Sequence, residues 1–189
     1  MVELVDRGGG PDMRIAKLVG WGLFIVALTF ALHELAHGLT GAALGYDMFV
    51  RLNSSGLVTG DYRSALDRDL IDAAGPAVTV LQGLFGLWLA YRWPTVASFA
   101  VVLAALLMRM LAAGVTLFMP NDEARLGLSW GLGLWPVHAV VIAALLIMTV
   151  LAARWTRPSV WSVITLVLAI KVGITLVVMG ERFLPAISF

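Results

Sequence analysis

The pentapeptide HELAH at residues 33–37 has the residue types and spacing of a hydrolytic metal centre. On a helix, His33 and His37 are four residues apart, share one face and can each direct a ring nitrogen to a single ion, with Glu34 beside them. Neutral imidazoles hold Zn²⁺, the ion lowers the pKa of a water toward about 7, and a neighbouring carboxylate takes the proton as that water attacks a carbonyl. Glu34 has the place of that general base. The setting adds weight, because HELAH ends a long apolar run. An ionisable side chain at membrane depth costs roughly 2.5–3.5 kcal/mol and is by default a candidate functional residue. Hydrogen bonding to neighbouring helices is the plainer use of such residues. Membrane di-iron oxygenases need many more histidines than the 3 present here. Haem ligation by His33, His37 or His138 would leave Glu34 without a task. A purely structural zinc would need four protein ligands and no base.

A third ligand must come from elsewhere in the chain. The extended zincin pattern, with a third histidine six residues on, fails at Ala43. With no cysteine, the donor must be His, Asp or Glu. The stretch FMPNDEARLG offers Asp122 as first choice and Glu123 as second. The same residues could start a short helix, with Asn121 or Asp122 as its N-cap and acids in its first turn. His138, in LWPVHAVV, is the remaining candidate, although a lone intramembrane histidine is more often a packed or hydrogen-bonded residue.

The elements that must position these groups are membrane elements. With 60% hydrophobic and 13% charged residues in 189, the chain reads as a single integral membrane domain. Five apolar runs, 15–44, 70–91, 96–119, 137–153 and 160–179, are long enough to cross a bilayer and are expected to be helices. The expected fold is therefore an all-α polytopic bundle of about five transmembrane helices, preceded by a flexible leader over residues 1–14. Trp93, Trp130, Trp135, Trp155 and Trp161 fall near span ends, as interfacial aromatics do. The net charge of +1 and scattered basic residues give no footprint for nucleic acid. Arg7, Arg14, Lys17, Arg92, Arg154 and Arg157 on one side slightly outnumber Arg51, Arg63, Arg68, Arg125 and Arg182 on the other. The balance favours a cytosolic N-terminus, with a prokaryotic cytoplasmic membrane as the expected location.

Between the first two spans, YDMFVRLNSSGLVTGDY has β-formers on both sides of the turn-rich NSSG, which predicts a short hairpin or re-entrant loop near HELAH. Arg109 and Lys171 lie well inside their spans and are expected to face the bundle or a watery cavity. For Arg109 the expectation is pairing with Asp72 or a role at a developing oxyanion; for Lys171, a structural or snorkelling role. GAALG and GLFG supply small residues for close helix packing.

Three segments together resemble the site-2 protease family of intramembrane zinc metalloproteases: HELAH at 33–37, AAGPAV at 73–78 and MPNDEA at 119–124. HELAH is the specific one, and the three span about two-thirds of the chain. The resemblance implies a helical core that hydrolyses peptide bonds of membrane-embedded protein or peptide substrates. Its zinc would be held by His33, His37 and an aspartate best matched by Asp122, with Glu34 activating water. It also implies that the hairpin presents substrate as an extended strand, which brings in Asn53, Ser54 and Gly56, with Thr79 and Arg109 as further substrate-binding candidates. Two positions depart from the family pattern. Thr79 stands where asparagine usually follows the Gly-Pro motif, and Asp122 precedes Glu123 rather than glycine. No PDZ-type domain is inserted, so the chain would be a minimal member. The same ligands and base would equally serve a zinc hydrolase of a lipid or small hydrophobic amide or ester, or persist in a non-catalytic metal-binding membrane protein.

Overall fold

The computed structural model describes residues 11–189. The first ten residues of the expected leader lie outside that range, and the rest of it is already helical. Six α-helices account for most of the chain: α1 (Pro11–Ala43), α2 (Ala65–Arg92), α3 (Val96–Val115), α4 (Asp122–Ser129), α5 (Pro136–Thr156) and α6 (Val160–Gly180). All but α4 are long and apolar enough to span a membrane. Their outward faces are as apolar as their inward ones: Phe24, Leu28 and Leu32 on α1 and Leu81, Leu84 and Phe85 on α2 are all exposed. Helices of that kind require hydrocarbon around them.

Local chemistry sets the ends. Ser64 caps α2 by accepting from the Asp67 amide. A capping box of Thr95 and Ser98 opens α3, and Ser159 accepts from the Ser162 amide to open α6. The cap explains why α2 begins five residues before the apolar run at Leu70: its first turns are polar and lie beyond the apolar layer. The third span stops at Val115, four residues short of the expected end. There the Asn121 side chain donates to the Ala112 carbonyl (2.7 Å) and accepts from Thr116 (3.1 Å), folding the connection back on α3. Asn121 therefore stands at the N-cap of α4 without capping it through its side chain.

The helices pack around α3, whose Ala100, Val102, Ala104 and Ala105 are fully or almost fully buried. Helix α1 packs between α2 and α6, while α5 covers α2 and α3. Glycines mark the close crossings. Gly83 lies under Leu145, Gly86 under Val101 and Val102, and a Cβ on Gly22 would come within 2.9 Å of the Ala169 methyl. Lys171 is exposed on α6 and does not turn into the bundle, so the snorkelling alternative fits it better. The hairpin forms as β1 (Met48–Val50) and β2 (Ser55–Leu57). A two-residue strand near the end of the chain, β3 (Ile187–Ser188), pairs antiparallel with β1 to complete a sheet in the order β2-β1-β3. No apolar alternation announces so short a strand, and sequence reasoning missed it.

Close packing at α1/α6 can be tested directly. Gly22→Leu should lower stability by about 1–3 kcal/mol through overpacking against Ala169. Gly20→Ala, with no neighbour within 4 Å, should be neutral or slightly stabilising. Thermal unfolding in detergent measures both.

Candidate metal centre

Helix α1 presents His33 and His37 at the end of the bundle where the hairpin lies, and α4 brings Asp122 to meet them. The Nε2 atoms of the two histidines are 3.1 Å apart. Asp122 Oδ2 is 3.1 Å from that of His33 and 3.4 Å from that of His37. Among the described residues, these three form a group able to hold a metal ion. A tetrahedral ion with bonds of about 2.0–2.1 Å sets its ligand atoms about 3.3 Å apart, so the triangle has the size of one face of such a site.

The surrounding hydrogen bonds decide which ring nitrogens face inward as lone pairs. His37 Nδ1 is 2.5 Å from the Ile71 carbonyl, which only accepts, so Nδ1 carries the proton and Nε2 of the neutral ring is a lone pair. Thr79 donates its hydroxyl proton to the Gly75 carbonyl (3.0 Å) and therefore accepts from His33 Nδ1 (3.2 Å). Two imidazole lone pairs and one carboxylate oxygen thus converge on one point. They repel unless a cation sits among them, either a proton shared with an imidazolium or a metal ion that displaces it.

Helix α2 makes room for this arrangement. A Cβ on Gly75 would overlap both imidazole rings, so this position requires glycine whatever its backbone angles. Pro76, inside α2, leaves the chain helical. Asp122 is held from behind. Arg125 forms a two-pronged bond to Asp72 (Nε to Oδ2, 3.0 Å; Nη2 to Oδ1, 2.7 Å) and also donates to Asp122 Oδ1 at 2.7 Å. One carboxylate oxygen is thereby fixed and the other aimed at the histidines. Burial alone would push the Asp122 carboxyl up, but hydrogen bonds from the facing imidazoles, made when a proton lies between them, hold it well below the usual carboxylate range. Asp122 remains an anion there.

The other expected ligands lie elsewhere. Glu123, fully buried, pairs with Arg109 at 3.0 Å, and its second oxygen is 3.8 Å from His138 Nδ1. His138 Nε2 is 2.9 Å from the Thr116 hydroxyl. Successive residues at the start of a helix point about 100° apart, so Asp122 and Glu123 cannot both face the histidines. Arg109 is paired with Glu123 and not with Asp72, which Arg125 occupies. At 2% exposure and 3.8 Å from Asp122, Arg109 supports the ligand-bearing turn and offers no surface to a substrate.

Glu34 is a buried neighbour of the triangle, and its Oε2 accepts from Ser55 of β2 at 2.7 Å. Thr79 contacts His33 and no open surface. Asn53 and Ser54 form the turn between β1 and β2, and both donate to the Glu181 carboxylate. Gly56 sits in β2 opposite Phe49. Sequence reasoning missed Ser55, Arg125 and the part played by Asp72. Strand alternation was the one available signal for Ser55, since Ser54 and Ser55 must point to opposite sides.

No protein-family model, curated protein or solved structure matches the chain.

The two carboxylates of the Asp-Glu pair should behave differently when removed. Asp122→Ala should lower zinc affinity at least tenfold, measured by competition with a chelator. Glu123→Ala should retain metal but lose about 3–5 kcal/mol of stability by leaving Arg109 buried and unpaired. The reverse pattern would make Glu123 the ligand.

Proposed function

We propose that the protein is a zinc-dependent intramembrane peptidase of the site-2 protease type, acting on peptide bonds of membrane-embedded substrates. One observation carries this reading: two imidazole lone pairs and a carboxylate oxygen meet in a triangle of 3.1–3.4 Å, with Glu34 adjacent in sequence to His33. A site with three protein ligands keeps a position open, as catalytic zinc sites do and structural ones do not. When bound, the ion supplies Lewis acidity and lowers the pKa of a coordinated water.

The chain's own groups do the rest. His33, His37 and Asp122 would hold the ion, and Arg125 and Asp72 fix the orientation of Asp122. Glu34 accepts a proton from the attacking water as the new C–O bond forms to the scissile carbonyl, then gives that proton to the amide nitrogen as the C–N bond breaks. Ser55 donates to one carboxylate oxygen of Glu34 and so orients the base, leaving the other oxygen to carry the proton. Peptide is favoured over lipid as substrate by the hairpin, which sets a strand against the base through that same bond; an extended backbone can lie along a strand, whereas an acyl chain gains nothing from it. With the basic ends of α1, α2 and α5 toward the cytosol, the centre lies at the opposite end of the bundle.

Glu34→Gln should keep zinc at the wild-type stoichiometry and lower cleavage of a purified single-span substrate in detergent by about 10²-fold or more. Full activity in that variant would overturn the mechanism.

A further inference from the structure

The chain does not stop at the end of α6. A 3₁₀ turn over Glu181–Phe183 leads into residues 184–189, which return to the hairpin and add to the free edge of β1. Met48 and Phe189 exchange both backbone hydrogen bonds, at 2.9 and 3.0 Å. Phe49 then faces Ser188, and Val50 faces Ile187. The Phe189 ring lies against Gly38, the residue after His37, within 3.1 Å of where a Cβ would stand. The last strand is therefore laid beside the helical turn that carries the candidate metal centre.

The two partners of β1 are held unequally. β2 is joined to β1 through residues 51–54 and pinned to α1 by the Ser55–Glu34 bond. The last strand is only two residues long, residues 182–189 are all exposed, and Ile187 is 66% exposed. Beyond the ladder and the Phe189 contact, its nearest tether is Glu181, bonded to Asn53 and Ser54. An extended peptide arriving at β1 finds both edges taken, and the last strand is the one that can yield.

We propose that residues 185–189 are an intramolecular strap on β1 that keeps its edge closed, and that an extended peptide with an apolar-small-aromatic pattern like Ile187-Ser188-Phe189 displaces it. The strap rests on the peptidase reading for its consequence, self-inhibition, but not for its existence as an exchangeable strand. A peptide exchanging one ladder for another gains no hydrogen bonds. It must outcompete a tethered segment whose effective concentration is of millimolar order, so the side-chain contacts decide which peptides succeed.

The absence of cysteine permits a direct test. Because Met48 and Phe189 form a hydrogen-bonded pair, Phe49 and Ser188 form the adjacent non-hydrogen-bonded pair, with Cα atoms at about the 4.5 Å that a disulfide spans. In Phe49→Cys/Ser188→Cys, oxidation locks the strap and reduction frees it. Binding of a fluorescent Leu-Pro-Ala-Ile-Ser-Phe peptide in detergent, read by anisotropy, should be about tenfold weaker in the oxidised form than in the reduced form of the same protein. Deletion of residues 185–189 should tighten binding at least about fivefold relative to the full chain. Equal binding by oxidised, reduced and shortened forms would overturn the strap. Cleavage of a single-span substrate is followed in parallel. If the lock weakens peptide binding while no form cleaves, the strap stands and the peptidase reading falls; if the wild type cleaves but the lock changes neither quantity, the strap alone falls.

Discussion

Three lone pairs pointed at one another inside a bundle are unstable without positive charge between them, and most of the polar structure around this centre exists to impose that arrangement. Each imidazole has its outer nitrogen committed, His37 to the Ile71 carbonyl and His33 to Thr79, so neither ring can relieve the repulsion by changing tautomer. Asp122 cannot swing away, because Arg125 holds its other oxygen and is itself held by Asp72. The cost of that convergence is recovered when a cation enters. Two nitrogens and one carboxylate oxygen are a donor set for a metal ion of borderline softness rather than for the hard, oxygen-seeking cations.

The fold serves this centre by bringing three separate segments to one end of the bundle. α1 carries His33, Glu34 and His37 within its last three turns, α2 passes so closely that only glycine fits at position 75, and α4 begins with Asp122. The ion pair of Arg109 and Glu123 lies just behind that turn and fixes it to α3. The sheet covers the same end, with Ser55 reaching the base and Phe189 reaching Gly38. The end of the molecule that carries the candidate metal centre is thus closed by a small sheet whose outermost strand is also its least secured part.

The membrane helices and the two histidines were legible in the sequence because both rest on strong local signals: unbroken apolar runs and a five-residue pattern of rare side chains. The hairpin was legible from NSSG between β-formers. The choice between Asp122 and Glu123 was not, since it depends on the rotation of α4 against α1, and no local pattern encodes that angle. The partner of Arg109 was misjudged for a related reason. Asp72 and Glu123 are equally good carboxylates in the sequence, and the fold assigns Asp72 to Arg125 by placing α2 beside α4 and Glu123 to Arg109 by turning the second residue of α4 toward α3. Pairing over long separations, as between β1 and residues 187–189, leaves no trace in residues chosen for exposure on both faces.

X-ray absorption at the zinc edge on the purified protein tests the central claim most directly. One zinc per chain, with a first shell of nitrogen and oxygen at about 2.0–2.1 Å and the outer-shell scattering of two imidazoles, is the expected result. A substoichiometric metal content, or a shell of oxygens without imidazole scattering, would contradict the assignment of His33, His37 and Asp122 as a metal centre.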